Sequence, residues 1–313
     1  MKKVIIIALF LIMVLSTATG FVLQRSTQPM AIKMHAKDLP QHGLTIITPA
    51  DPSFDGRLAS VLKGKPNEVV DNLKPFSVFV ENRGKQTVVA YLIQWCFTRE
   101  DGTNDCYNQA VVNPRALMEG EDLPSEYDEQ TEKIKPNAAR FCSIVSPDSS
   151  GPIRFEISRN EAERIKAGER YDRQTLLQRF RSQLATNYSD ITITIDGAFF
   201  DDGTFVGPDN TGFFAQTKAA IDAKRDLLNE IASGLTNPGQ TKDDVFKKIE
   251  ATADQPNISL DSSATPTDFY NFNKKLYATE ILQMRKAVGN DAALTYALRS
   301  IKKPWRKLQK KQD

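Results

Sequence analysis

Histidine is the side chain best suited to moving protons near neutral pH, and this chain has two, His35 and His42. Both fall in a polar, irregular stretch over residues 24–42 that reads as a linker, with no cysteine nearby. A Ser–His–Asp or Cys–His site would have to borrow its base from that arm, and the common zinc sites are starved of ligands in the same way. Neither standard Gly-rich phosphate loop is present, which argues against nucleotide chemistry. Ser60-Val61-Leu62-Lys63 and Ser300-Ile301-Lys302-Lys303 have the spacing at which a lysine can activate a serine. The companion motifs such sites need are missing, so Ser60 is expected on the surface of a short helix.

Carboxylates are the remaining chemistry. Asp101 and Asp105 lie about one turn, and Asp196, Asp201, Asp202 and Asp209 gather around another. Paired acids held at the right separation hydrolyse glycosides, whereas acids at hairpin tips ordinarily bond the local backbone. A third use is an oxygen-ligand calcium site built from Asp201, Asp202, Asp209 and Asn210, since hard cations need several converging oxygens. The spacing does not match the EF-hand loop. No residue is assigned a catalytic role, and apart from this calcium option no cofactor is implied.

Cys96 and Cys106 are placed symmetrically about Asp101-Gly102, in the segment WCFTREDGTNDCY. If that segment is a hairpin, the two lie opposite each other on adjacent strands and can form a disulfide. Cys142 is then left over, and reads as a small buried hydrophobe rather than a nucleophile.

A disulfide needs an oxidising compartment, and the N-terminus supplies the address. Met1-Lys2-Lys3 leads into the apolar run Val4–Leu15, followed by small residues ending in Ala18-x-Gly20, the pattern of a cleaved export signal over residues 1–20. Extending the run to Leu23 gives roughly twenty residues, the length of a membrane anchor over 4–23. Either way the remainder is expected outside the cytoplasm, periplasmic or secreted, or membrane-associated through its N-terminus.

The chain carries 41 bases and 39 acids, and loss of Lys2 and Lys3 with the signal leaves 39 of each. Such a balance lacks the global positive field of nucleic-acid binders. Local charge is uneven. Residues 119–132 (EGEDLPSEYDEQTE) hold seven acids and no base, and read as an extended surface loop. The tail over 304–313 and the residues before it are basic. Lys302, Lys303, Trp305, Arg306 and Lys307 are the candidates there for contact with an anionic surface, the alternative being a frayed, solvated terminus.

The elements that must position these groups divide at Gly207-Pro208-Asp209-Asn210-Thr211-Gly212, which combines turn residues with a change of hydrophobic period. Upstream, residues 43–208 read mainly as strands: Leu44–Thr48, Phe76–Val80, Val88–Phe97, Tyr107–Val112, Arg140–Val145, Ile153–Ile157, Ile191–Ile195 and Thr204–Val206. Two helical patterns interrupt them at about 158–185, the second with Leu176, Leu177, Phe180 and Leu184 on one face. Downstream, residues 209–303 read as helices. One carries Phe214, Thr217, Ile221, Leu228 and Ile231, with Gly234 as its stop. Asp243–Ala253 makes a second. A third is capped by Thr267 or Asp268 and has Phe269, Phe272, Leu276, Met284 and Val288 at helical spacing. The last runs over Asp291–Ile301.

The segment PFSVFVENRGKQTVVAYLIQWCF (75–97) resembles the paired central strands of immunoglobulin-like and fibronectin-like modules of exported bacterial proteins, with Tyr91 and Trp95 facing the core. It lacks the immunoglobulin Cys–Trp–Cys spacing, because Cys96 directly follows Trp95. The resemblance implies a fold class and no site residues. The expected architecture is α+β: an N-terminal β-sandwich-like domain with a helical insertion, then an all-helical domain. The expected function is non-catalytic binding or scaffolding outside the cytoplasm, with a protein or cell-surface polymer as partner. A carboxylate-dependent, glycan-active hydrolase and a membrane-anchored accessory protein are the alternatives.

Overall fold

The computed structural model describes residues 32–61, 74–112, 117, 133–144, 182, 184, 186–260, 264–299, 301 and 305–311. The segment expected as export signal or anchor, the acidic stretch 119–132, the strand expected at 153–157, nearly all of the insertion expected at 158–185, and Lys302 and Lys303 lie outside them.

The protein is mixed α/β. Its strands are β1 (Lys33–Lys37), β2 (Leu44–Ile47), β3 (Ser77–Asn82), β4 (Val88–Arg99), β5 (Asn104–Val112), β6 (Ala138–Ser143), β7 (Tyr188–Phe200), β8 (Thr204–Val206) and β9 (Gln309–Lys310). The helices are α1 (Phe54–Val61), α2 (Phe213–Thr236), α3 (Lys242–Ala253), α4 (Pro266–Val288) and α5 (Asn290–Arg299). One sheet has the order β5-β4-β7-β8-β9. β4 runs antiparallel along one side of β7, while the other side is shared by β1 and β8. A smaller antiparallel sheet has the order β2-β3-β6.

Alternation along β4 explains how the layers stack. Tyr91, Ile93, Trp95 and Phe97 point into one cluster with Ile191, Ile193 and Ile195 of β7 and with Leu44, Ile46, Val78 and Val80 of the small sheet. Val89 and Leu92 belong to a second cluster on the outer side, with Phe199, Phe205 and the α2 residues Phe213 and Ile221. β4 is thus buried on both faces over its first half, which accounts for its continuous apolar run. Farther along, its outward residues Gln94, Cys96 and Thr98 are partly exposed. The second half of α2 contributes Leu227, Leu228 and Ile231 to a third cluster with α3, α4 and α5. One helix therefore serves both the sheet and the helical layer. Gly234 is a contact and not a stop: α2 continues to Thr236, and a Cβ at Gly234 would lie 2.9 Å from Val245 Cγ2 of α3.

Further expectations are corrected. The linker over 24–42 is wrong from residue 33 onward, because β1 pairs in parallel with β7 and puts His35 Nε2 3.1 Å from Asp190 Oδ1. Its sequence gave little sign of this, since Met34 is the one β1 side chain that packs on the core. On α4 the stripe was right at Met284, which packs on the third cluster, and wrong at Leu276 and Val288. Tyr277, Ala278 and Ile281 are buried, whereas Leu276 and Val288 are 43% and 54% exposed. The α4 cap is Thr265, closed by a reciprocal capping box with Asp268. Finally, the described part of the basic tail is not frayed. β9 pairs with β8, and Trp305 packs between the second and third clusters.

Candidate functional site

Val88 of β4 forms an isolated antiparallel bridge with Ile134, each donating its amide to the other's carbonyl (3.0 and 2.8 Å). Both side chains enter the inner core. Strand alternation then sends their neighbours the other way, Thr87 and Val89 on one chain and Lys133 and Lys135 on the other. The bridge is held from behind by the buried Asn82, whose Nδ2 donates to the carbonyls of Ile134 (2.8 Å) and Gln86 (2.7 Å).

Two further segments complete a cavity. The Asp201 amide donates to the Thr87 carbonyl (2.9 Å), fixing the start of the β7–β8 turn beside Thr87. The C-terminal segment reaches the same place because the Gln309 amide donates to the Gly203 carbonyl (3.1 Å). Gly203 has φ +85°, and a Cβ there would lie 2.8 Å from the Lys307 carbonyl oxygen, so this approach needs glycine. The resulting cavity, about 380 Å³, is lined by Thr87, Val89, Lys133, Lys135, Pro136, Asp201 and Arg306. Among the described residues, three bases and one acid meet there from three stretches of chain.

The sequence candidates fare differently. Of the basic tail set, Arg306 lines the cavity, Trp305 is partly buried in the core and Lys307 is exposed. Lys133 and Lys135 were missed. Their available signal was the triplet Lys-Ile-Lys, a buried apolar residue between two outward bases.

The calcium set does not come together. Asp202 accepts from the Thr204 amide (2.8 Å) and from Gln86 Nε2 (2.6 Å). Burial works to raise its pKa, but these bonds outweigh it and hold the carboxyl below its ordinary range. Asp209 accepts from the Phe214 amide (2.9 Å) and from Lys310 Nζ (2.9 Å). Asn210 gives its amide to Asp196 (2.9 Å). Among the described residues no three His, Cys, Asp or Glu side chains are grouped to hold a metal ion. Asp201 alone of the four lines the cavity, and among the described residues it is the one acid there.

The acids of the β4–β5 hairpin are engaged locally. Asp101 accepts from the Thr103 amide (2.9 Å) and hydroxyl (2.7 Å). Asp105 accepts from Tyr188 Oη (2.6 Å) and Arg99 Nη2 (2.6 Å), and these bonds lower its pKa. Cys96 and Cys106 are directly opposite in register, with Cα atoms 4.1 Å apart, and form a disulfide. Arg99 and Thr103 form a hydrogen-bonded pair, so counting back puts the cysteines at a narrow, non-hydrogen-bonded position that a disulfide can span. Cys142 is buried against Tyr91 Oη (3.3 Å), and burial pushes its thiol up to about 11, which leaves it unreactive. Ser60 is exposed on α1, while Lys63, Ser300 and Lys303 lie outside the described residues.

Among the described residues no helix is long and apolar enough to cross a membrane. No protein-family model, no curated protein and no solved structure matches the chain.

Proposed function

We propose that this protein is a non-catalytic binding module working outside the cytoplasm, and that its basic cavity receives an anionic group carried by a protein or a cell-surface polymer. The observation that carries this reading is the convergence of Lys133, Lys135 and Arg306 on one cavity. A chain with balanced charge gains nothing general from such a cluster, whereas a concave site concentrates its field on a ligand. The Cys96–Cys106 disulfide and the signal-like N-terminus support the compartment. The two sheets, joined by a shared aromatic and aliphatic core, are read as an immunoglobulin-like sandwich, an architecture that often presents binding surfaces.

The test is binding of the exported protein to polygalacturonate and, as neutral control, dextran, measured at rising salt. Polygalacturonate binding that weakens with salt and falls about tenfold in Lys135→Glu is expected. Equal retention of both polymers, or indifference to the substitution, defeats the reading. The apolar run over 4–23 favours a second reading, a membrane-anchored accessory protein. N-terminal sequencing of the protein from fractionated cells separates the two: a start near residue 21 removes the anchor.

A further inference from the structure

Resting on that reading of the cavity, we infer that its ligand is a single acidic sugar unit, a pyranose bearing a carboxylate or phosphate, rather than an anion alone. Asp201 is the residue that distinguishes the two. A site that only had to hold an anion would be weakened by a carboxylate in its wall, since like charges repel across a few ångströms. Here the acid is fixed in place through its own amide, 2.9 Å from the Thr87 carbonyl, and among the described residues its side chain has no hydrogen bond or ion pair. Neighbouring Asp196, Asp202 and Asp209 all accept bonds from nearby donors. Asp201 is the acid left to accept from something else.

The rest of the lining completes the requirement. Lys133, Lys135 and Arg306 supply donors for the anionic group, while the Thr87 hydroxyl can donate or accept. Val89 and Pro136 give the wall an apolar part against which the C–H face of a sugar can rest. The volume, about 380 Å³, is on the order of a dozen water volumes, far more than a bare phosphate or carboxylate fills. A ligand that presents an anion to the bases and hydroxyl donors to Asp201 matches the chemistry of this lining.

The experiment is calorimetric titration of the mature protein with inorganic phosphate, acetate, glucose, glucuronate and glucose 6-phosphate, repeated on Asp201→Ala. The expected result is that glucuronate or glucose 6-phosphate binds at least about tenfold more tightly than acetate or phosphate. In Asp201→Ala that ratio should fall to about one, while phosphate binds as well as before or better. Preference for glucuronate would point to a uronic-acid polymer, and preference for glucose 6-phosphate to a phosphorylated sugar. A thermal melt of the variant checks that it folds, and Asp201→Asn serves if it does not. If phosphate and both sugar acids bind alike, or if the ratio survives the substitution, the inference fails and anion binding stands. If no anion binds, polygalacturonate included, both readings fall together.

Discussion

Asp196 lies within β7 and Asp201 just beyond its end, five residues apart, and the fold uses them in opposite ways. Asp196 is fully buried and accepts from the Asn210 amide (2.9 Å), the Thr211 amide (3.0 Å) and the Thr211 hydroxyl (2.6 Å). Its carbonyl takes the Asp209 amide as well (2.8 Å). These bonds shape the approach to α2, whose N-cap is Gly212 and so has no side chain to offer. Negative charge near a helix start is favourable in itself. Asp201, by contrast, has its backbone tied to Thr87 and lines a cavity together with three bases. A buried charge is tolerated where donors surround it. Asp201, whose carboxylate accepts no bond among the described residues, is the acid that we assign to a ligand.

The strongest way to break this comparison is to remove each acid in turn. Asp196→Ala should cost about 3–5 kcal/mol, because it orphans three donors in a buried site. Asp201→Ala should move stability by no more than about 0.5 kcal/mol, as an ordinary surface change does. Denaturant unfolding measures both, and similar losses would show that Asp201 is also a structural acid.

A smaller effect sharpens the contrast along the outer face of the large sheet. Under α2 that face is sealed by Phe199, Phe205 and Phe213, whereas beyond the helix it is polar and held by the Cys96–Cys106 bond. Reduction should lower stability by about 2–3 kcal/mol. Unfolding midpoints with and without a dithiol give the answer. An unchanged midpoint would mean that the ladder between β4 and β5 holds this end without help.

The smallest effect concerns a second saturated acid, Asp105. Burial, then the bond to Asp105, push Tyr188 up to about 12 from an ordinary 10.0. The folded state therefore favours the protonated phenol. Its contribution is complete below about pH 10 and is lost as pH rises from there toward 12. Tyr188→Phe should cost about 1 kcal/mol at neutral pH and delete one late phenolate step from the ultraviolet titration. If no late step disappears, the Tyr188–Asp105 bond is not holding the proton.

Legibility in the sequence followed the amount of apolar surface each segment had to bury. β4 and β7 were readable because long alternating or continuous apolar runs fit few other structures. The β4–β5 register was readable because two cysteines lie symmetrically about a turn. β1 was missed because its stability comes from backbone pairing along β7, which leaves almost no side-chain pattern. On α4, Phe269, Phe272 and Leu276 imitate a core stripe, yet the face that meets the other helices centres on Tyr277, Ala278 and Ile281. Large side chains gave that face its apparent direction, and the packing of neighbouring helices chose another. The candidate site was half visible: Arg306 and Asp201 were singled out, each for a different chemistry, and Lys133 and Lys135 were not.

The sequence by itself determined the core strands β3, β4, β5 and β7, the helical character of the region after Gly212, the cysteine pair and the poverty of catalytic histidines. These depend on local period, turn chemistry and composition, which a one-dimensional reading can recover. The tertiary structure alone decided that Lys133, Lys135, Asp201 and Arg306 share one cavity, and that Asp196 does not belong with them. Those groups come from segments up to 173 residues apart, from Lys133 to Arg306. They meet through a single bridge at Val88, a turn tied to Thr87 and a terminal strand laid against β8. Long-range backbone pairing carries no local signature, and it is what places the charges.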